Sequence, residues 1–123
     1  MKIMDAINIL DANKQNTFNQ TDKIRWLSTL DAAVKQLLDQ YVGGDKVVFK
    51  GYTEDTDLDT VLLVPAPYDD VYLRWLEAQI DYANGEYGKY NNAMAMYNTA
   101  FDAFAKYYAR NNTPLNRGRR FIF

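Results

Sequence analysis

The stretch DDVYLRWLEAQIDYANGEYGKYNNAMAMYNTAFDAFAKYYARN, residues 69–111, decides how this chain folds. Within it Leu73, Leu76, Ile80, Ala83, Tyr87, Tyr90, Met94, Tyr97, Phe101, Phe104 and Tyr108 recur in steps of three and four. Side chains at that period share one face of an α-helix. Asn84-Gly85 and Gly88 interrupt the run. Asn-Gly is a turn signal, and glycine just past the last turn is the favoured helix stop. The apolar phase does not slip across them. The spacing therefore predicts either two helices, about 69–84 and 86–110, or one kinked helix.

Upstream, Pro65-Ala66-Pro67 is a rigid break, because a residue before proline is steered away from helical backbone. Two β-branched, apolar runs precede it, Lys46-Val47-Val48-Phe49-Lys50-Gly51-Tyr52 and Thr60-Val61-Leu62-Leu63-Val64. They read as short strands forming a hairpin or arm. A lone hairpin is marginal in water, so it must lie on the helices or on a neighbouring chain. Before the first strand, Ile24, Leu27, Leu30, Val34, Leu37, Leu38 and Tyr41 form another helical stripe. Thr21 is its expected N-cap and Gly43-Gly44 its expected end, with Trp26 off the stripe. Residues 3–13 read as a first helix carrying Ile3, Ala6, Ile7 and Leu10, and the polar stretch 13–20 as a loop. The fold class is thus mainly α: a small bundle of about four helices with a short β hairpin or arm. Residues 1–112 make one helical domain with the arm at about 46–64. Residues 113–123 make a flexible basic tail. Leu27, Leu30, Val34, Leu76, Ile80, Phe101 and Phe104 are the expected deep core.

Composition narrows the chemistry. The 123 residues are 48% hydrophobic and 24% charged, the usage of one ordinary globular domain. Cysteine and histidine are both absent. That excludes disulfides, thiol nucleophiles, Cys/His zinc sites, haem histidines and Ser-His-Asp triads. No catalytic, cofactor-binding or metal residue is expected, and the chain does not read as an enzyme. Fourteen Lys and Arg against sixteen Asp and Glu give a net charge of −2, no footprint for general duplex binding. Met1-Lys2 runs into Ile3-Met4-Asp5, so no secretory signal is expected. No apolar run approaches a membrane span.

Four features bear on function. The link Glu54-Asp55-Thr56-Asp57-Leu58-Asp59 opens like a calcium loop, but Thr60 stands where glycine is required and Ala66 where the closing glutamate is required. A solvated acidic turn is the expected reading. Asp69-Asp70 opens the third helix, where acidic residues cap and complement the dipole. A catalytic carboxylate pair would instead need a cleft and one raised pKa. The aromatic ladder Tyr87, Tyr90, Tyr97, Phe101, Phe104, Tyr107, Tyr108 suits a core or a subunit interface better than a base-stacking or carbohydrate platform. The tail carries Arg117, Arg119, Arg120, Phe121 and Phe123. It is either a frayed terminus or a docking peptide, in which the arginines attract and the phenylalanines anchor.

Several of these runs carry a resemblance. Leu63-Val64-Pro65-Ala66-Pro67-Tyr68-Asp69-Asp70-Val71-Tyr72, the stretch Ile80 to Asn98 and the early Lys23-Ile24-Arg25-Trp26-Leu27-Ser28-Thr29-Leu30-Asp31 resemble small virion proteins encoded beside the capsid genes of tailed phages and prophages. So does the turn Phe49-Lys50-Gly51-Tyr52. The resemblance covers roughly residues 20–110 and is to the head–tail connector, or adaptor and head-completion, proteins. It implies a homo-oligomeric ring beneath the portal that extends the DNA channel without sequence-specific DNA binding. It also implies contacts with the portal and with neighbouring connector or tail proteins, no membrane, and residence in the virion after assembly in the host cytoplasm. In connectors of this kind a C-terminal segment often makes the portal attachment. Here that role would fall to Arg117, Arg119, Arg120, Phe121 and Phe123, in a tail expected to be disordered until it binds. The alternative is a small non-enzymatic oligomeric binding or regulatory module that uses the Tyr-rich helix face as its interface.

Overall fold

The computed structural model describes residues 1–42 and 48–114. Four helices dominate it: α1 (Ile3–Asn13), α2 (Gln20–Leu38), α3 (Asp70–Ala83) and α4 (Tyr87–Asn111). Two short strands, β1 (Tyr41–Val42) and β2 (Thr113–Pro114), pair antiparallel, with Tyr41 opposite Pro114 and Val42 opposite Thr113. The chain is mainly helical with one small β pairing, the class its periodicity predicts.

The Asn-Gly junction resolves the choice left open between two helices and one. Gly85 takes φ +73°, its N–H donates to the Tyr82 carbonyl (3.0 Å), and the Glu86 N–H donates to the Asp81 carbonyl (2.9 Å). This paired closure around a left-handed glycine satisfies carbonyls that the helix end leaves free. The chain then reverses and α4 runs back along α3, its principal neighbour.

Helix α2 starts two residues earlier than expected. Asn19, not Thr21, is the N-cap, and its Oδ1 accepts from the Asp22 N–H at 2.9 Å. It also stops at Leu38, short of Gly43-Gly44. Tyr41 and Val42 leave the helix because β2 offers them a strand partner, and the Tyr41 ring meets Tyr108 edge-on at 5.1 Å.

The expected pairing of 46–52 with 60–64 does not occur among the described residues; residues 46 and 47 lie outside them. Residues 48–60 carry no strand. The second run instead pairs with the start of the chain. Val61 bridges Lys2, the Leu62 N–H donates to the Met1 carbonyl at 2.9 Å, and the N–H groups of Ile3 and Met4 donate to the Thr60 and Leu58 carbonyls at 3.0 and 3.1 Å. The first donors of α1 would otherwise be unsatisfied. Strand propensity reports that a segment fits a half-buried pleated surface, and it does not name the partner.

The core gathers one face of every helix. Ile3, Leu10, Ile24, Leu27, Leu30, Val34, Val71, Leu76, Ile80 and Phe104 are sealed, and Leu62 and Val64 from the irregular segment join them. Phe101, expected among them, is only half-buried: it packs against the core from its margin, beside Tyr97, with ring centroids 5.9 Å apart. Gly51 marks the point where the irregular segment meets α2: its φ is +89°, and an added Cβ would stand 3.3 Å from the Ser28 Oγ. That Oγ also accepts the Tyr52 N–H at 3.0 Å. Gly51→Ala is expected to cost about 1–2 kcal/mol through left-handed strain and crowding, read as a lowered midpoint in urea. An unchanged midpoint would show that this turn is not fixed.

Candidate interaction surface

The most unusual element is α4. At 25 residues it is about 37 Å long, against about 21 Å for the 14 residues of α3. Only Phe104 and Tyr108 of α4 are buried. One edge is lined by aromatic contacts. Trp75 of α3 lies 5.0 Å from Tyr97, and Tyr82 lies 5.7 Å from Tyr87 and 5.1 Å from Tyr90, all between ring centroids. Of the aromatic ladder, Phe104 and Tyr108 are core, Tyr90, Tyr97, Phe101 and Tyr107 are half-buried, and Tyr87 is exposed.

The opposite face of α4 is open and uncharged through its middle. Residues 90–101 contain no Asp, Glu, Lys or Arg. Asn91, Asn92, Ala95, Met96, Asn98 and Thr99 of this stretch are exposed. The flanking charges pair locally, Lys89 with Glu86 at 3.3 Å and Lys106 with Asp102 at 2.9 Å. A helix face turned to water normally carries charge. An uncharged face with Met and Tyr at its margins has the makeup of an interface core. Tyr82, Tyr87 and Met96 retain 57, 59 and 49% of their surface.

A second feature, which the sequence reading missed, sits inside the bundle. Asp31 of α2 is fully buried. Its Oδ2 accepts from the Tyr52 hydroxyl (2.5 Å) and the Leu63 N–H (3.1 Å), and its Oδ1 accepts from the Tyr72 hydroxyl (2.6 Å). The same Tyr72 oxygen accepts the Val64 N–H at 2.7 Å. Burial pushes the Asp31 carboxyl above the usual carboxylate range, and the hydrogen bonds from Tyr52, Tyr72 and Leu63 pull it the other way without offsetting this. Burial, with Asp31 beside them, also drives the Tyr52 and Tyr72 phenols well above their ordinary value. The only hint in the sequence was that Asp31 falls one residue after Leu30 and three before Val34, on the margin of the buried stripe. The carboxylate is sealed from substrate, so it ties α2, the 52–64 segment and α3 together.

The other acidic features have structural partners. Asp70 accepts from the Arg74 Nε at 3.1 Å, and Asp69 makes no side-chain cap but stands 3.7 Å from the Met1 amino nitrogen. The expected cap at Asp69 is thus replaced by a tie to the start of the chain. The link 54–59 folds as successive turns closed by its own side chains: Thr56 Oγ1 accepts the Thr53 N–H at 2.8 Å, and Asp57 Oδ1 accepts the Asp59 N–H at 2.9 Å. Ser, Thr and Asp favour such turns for this reason. Among the described residues no cluster of three or more acidic groups is arranged to hold a metal ion, and no helix is long and apolar enough to cross a membrane.

Arg117, Arg119, Arg120, Phe121 and Phe123 lie outside the described residues. A groove of about 250 Å³ opens at the end of α4, lined by Pro65, Phe104, Tyr107, Tyr108, Asn111 and Asn112. That is smaller than the roughly 300–1,000 Å³ of small-molecule sites and suits one or two side chains.

No family model, no curated protein and no solved structure matches this chain.

Proposed function

We propose that this chain is a structural virion subunit of a tailed phage or prophage: a head–tail connector that joins a ring below the portal, extends the DNA channel and has no enzymatic activity. The observation that carries the reading is the uncharged, exposed middle of α4, taken with the resemblance of residues 20–110 to that family. In a closed ring each subunit presents one face to the neighbour on its left and a different face to the one on its right. Helix α4 supplies a long, stiff surface for one of them, free through its middle of charges that would need desolvation. A slightly acidic body does not grip phosphates, which suits a channel through which DNA slides. The attachment to the portal falls to Arg117, Arg119, Arg120, Phe121 and Phe123.

The test uses the exposed Ala95. Ala95→Glu places a charge at the centre of the face and touches no core residue, so its folding stability should stay within about 0.5 kcal/mol of the parent. Electron microscopy of the parent mixed with the portal protein of its own genome should show an added ring, and Ala95→Glu should abolish it. A variant that still forms the ring would remove α4 from the interface. A parent that stays a small stable oligomer with no affinity for portal or virion proteins would favour a binding or regulatory module instead.

A further inference from the structure

We propose that the open face of α4 docks on the outward stripe of α2 of a second copy of this chain, the two helices running antiparallel with Ala32 seated against Ala95. The inference rests on the reading of α4 as a ring face and deepens it by naming what that face meets.

Three observations carry it. The first is a likeness between two surfaces. Arg25, Thr29, Ala32, Gln36 and the C-cap Asp39 are exposed along α2. Gly88, Asn91, Ala95, Asn98 and Asp102 are exposed along α4. Each set makes one outward seam, because residues three and four apart share a helix face. Between its ends each seam is uncharged, with Thr29, Ala32 and Gln36 on one and Asn91, Ala95 and Asn98 on the other. Helix α3 stands between α2 and α4: Trp75 Nε1 donates to the Trp26 carbonyl at 2.8 Å on one side, and its ring lies 5.0 Å from Tyr97 on the other. Both seams are turned to solvent, and each is free for another molecule.

The second is register. From Arg25 to Asp39 the α2 seam advances by four, three, four and three residues. Read backwards, from Asp102 to Gly88, the α4 seam also advances by four, three, four and three. Matching steps in opposite directions keep the layers of two antiparallel helices aligned, side chain into gap. The layers pair Arg25 with Asp102, Thr29 with Asn98, Ala32 with Ala95, Gln36 with Asn91 and Asp39 with Gly88. The central alanines let the axes approach to about 8 Å, the close end of helix packing. Gln36 and Asn91 each carry a donor and an acceptor, so their amides are complementary. The Thr29 hydroxyl donates to the Arg25 carbonyl at 3.2 Å, which leaves its oxygen to accept from the Asn98 amide.

The third is charge. The Arg25 side chain is 68% exposed and touches Asp22 only at 3.3 Å, and the Asp102 side chain is 61% exposed. The antiparallel register brings these opposite charges level at one end. At the other end Asp39 comes level with Gly88, next to Lys89. A parallel alignment of the same seams sets Arg25 against Asn91 and Asp102 against Gln36, and pairs no opposite charges. Charges at the ends of an uncharged contact fix its orientation more than its strength. Two helix seams about 21 Å long cover less than the roughly 1,600 Å² of a standard interface. One contact is therefore weak, and a closed ring holds because every subunit makes two of them.

The chain has no cysteine of its own, so a single introduced thiol reports one contact. Full-length chains carrying Ala32→Cys and Ala95→Cys are mixed one to one with oxidised glutathione, and the disulfide-linked dimer is followed on non-reducing gels. Both positions are exposed, so the melting midpoints of the reduced variants should match the parent's. Facing Cβ atoms in one layer are close enough to bridge, and the mixture should link about tenfold faster than either variant alone. Adding Arg25→Glu to the Ala32→Cys chain sets like charges level and should slow linking about tenfold; adding Asp102→Arg to the Ala95→Cys chain as well should restore it. Equal rates for the mixture and the single variants would overturn the pairing, as would failure of Asp102→Arg to restore linking. Fastest linking by Ala95→Cys alone would put α4 against α4 and overturn it too. A ring that forms on the portal while this cross-link fails would remove α2 from the contact and leave the connector reading standing.

Discussion

Asp31→Ala is expected to lower the unfolding free energy by about 3–5 kcal/mol, as removal of one partner from a buried charged network does. Domains of this size hold only about 5–15 kcal/mol in total, so the variant should be largely unfolded by moderate urea. The reason lies in what the carboxylate serves. Three donors converge on it, the Tyr52 and Tyr72 hydroxyls and the Leu63 N–H. Alanine leaves all three facing a cavity, and each buried donor without a partner costs about 1–3 kcal/mol.

The tyrosine variants separate the contributions. Tyr52→Phe removes one donor to Oδ2 while the Leu63 N–H remains on that oxygen, and about 1–2 kcal/mol is expected. Tyr72→Phe should cost more, because its oxygen also accepts the Val64 N–H, which is left orphaned. Equal costs for the two would show that the Val64 bond contributes nothing. Asp31→Asn keeps the shape and one acceptor but turns an NH₂ group toward a donor. The tyrosine hydroxyl can rotate to accept from it, whereas the Leu63 N–H cannot.

The pH dependence has a definite sign. Burial raises the Asp31 pKa above its unfolded value of 3.8, so the folded chain binds this proton more tightly than the unfolded chain does. The Asp31 contribution to stability therefore falls as pH rises from 3.8 through the raised value, and is recovered on acidification. Asp31→Asn lacks this titration. Urea midpoints taken at falling pH should show the parent's advantage over Asp31→Asn widening toward pH 4. An advantage that narrows would mean that the hydrogen bonds outweigh burial.

Phe104→Ala is the second large effect, about 3–5 kcal/mol, or a midpoint lower by roughly 10 °C or more. The ring is 1% exposed and joins Tyr68, Tyr107 and Tyr108 at centroid distances of 6.2, 6.5 and 6.0 Å. It is the main anchor of α4 to the body, so its loss should also raise hydrogen exchange along the C-terminal half of that helix. Phe101→Ala, one turn earlier and half-buried, should cost only about 1–2 kcal/mol. Thermal melts of the two variants decide the matter: similar losses would restore Phe101 to the deep core and contradict its place at the core margin.

Much of this architecture was legible in the residues themselves. Steps of three and four placed all four helices. Leu27, Leu30, Val34, Leu76, Ile80 and Phe104 were identifiable as core because burying one stripe of each amphipathic helix is the dominant favourable term in folding. The Asn-Gly pair marked the reversal between α3 and α4, although only the closed hydrogen bonds at Gly85 distinguished a turn from a kink. Absence of Cys and His bounded the chemistry before any geometry was known.

Tertiary structure decided everything that depends on a partner distant in sequence. Thr60 to Val64 has strand character, but its partner turned out to be the start of the chain and not residues 46–52. Tyr41-Val42 pairs with Thr113-Pro114 across most of the sequence. Phe101 and Phe104 are equally apolar and three residues apart, and only the crossing of α4 over α3 makes one core and the other edge. Asp31 looked like one more polar residue on a helix, and its role exists only where Tyr52, Leu63 and Tyr72 converge on it. Local periodicity is written in neighbouring residues and can be read there. The pairing of remote segments is set by which donors, acceptors and apolar faces are left unsatisfied once the helices have packed, and no local pattern carries that information.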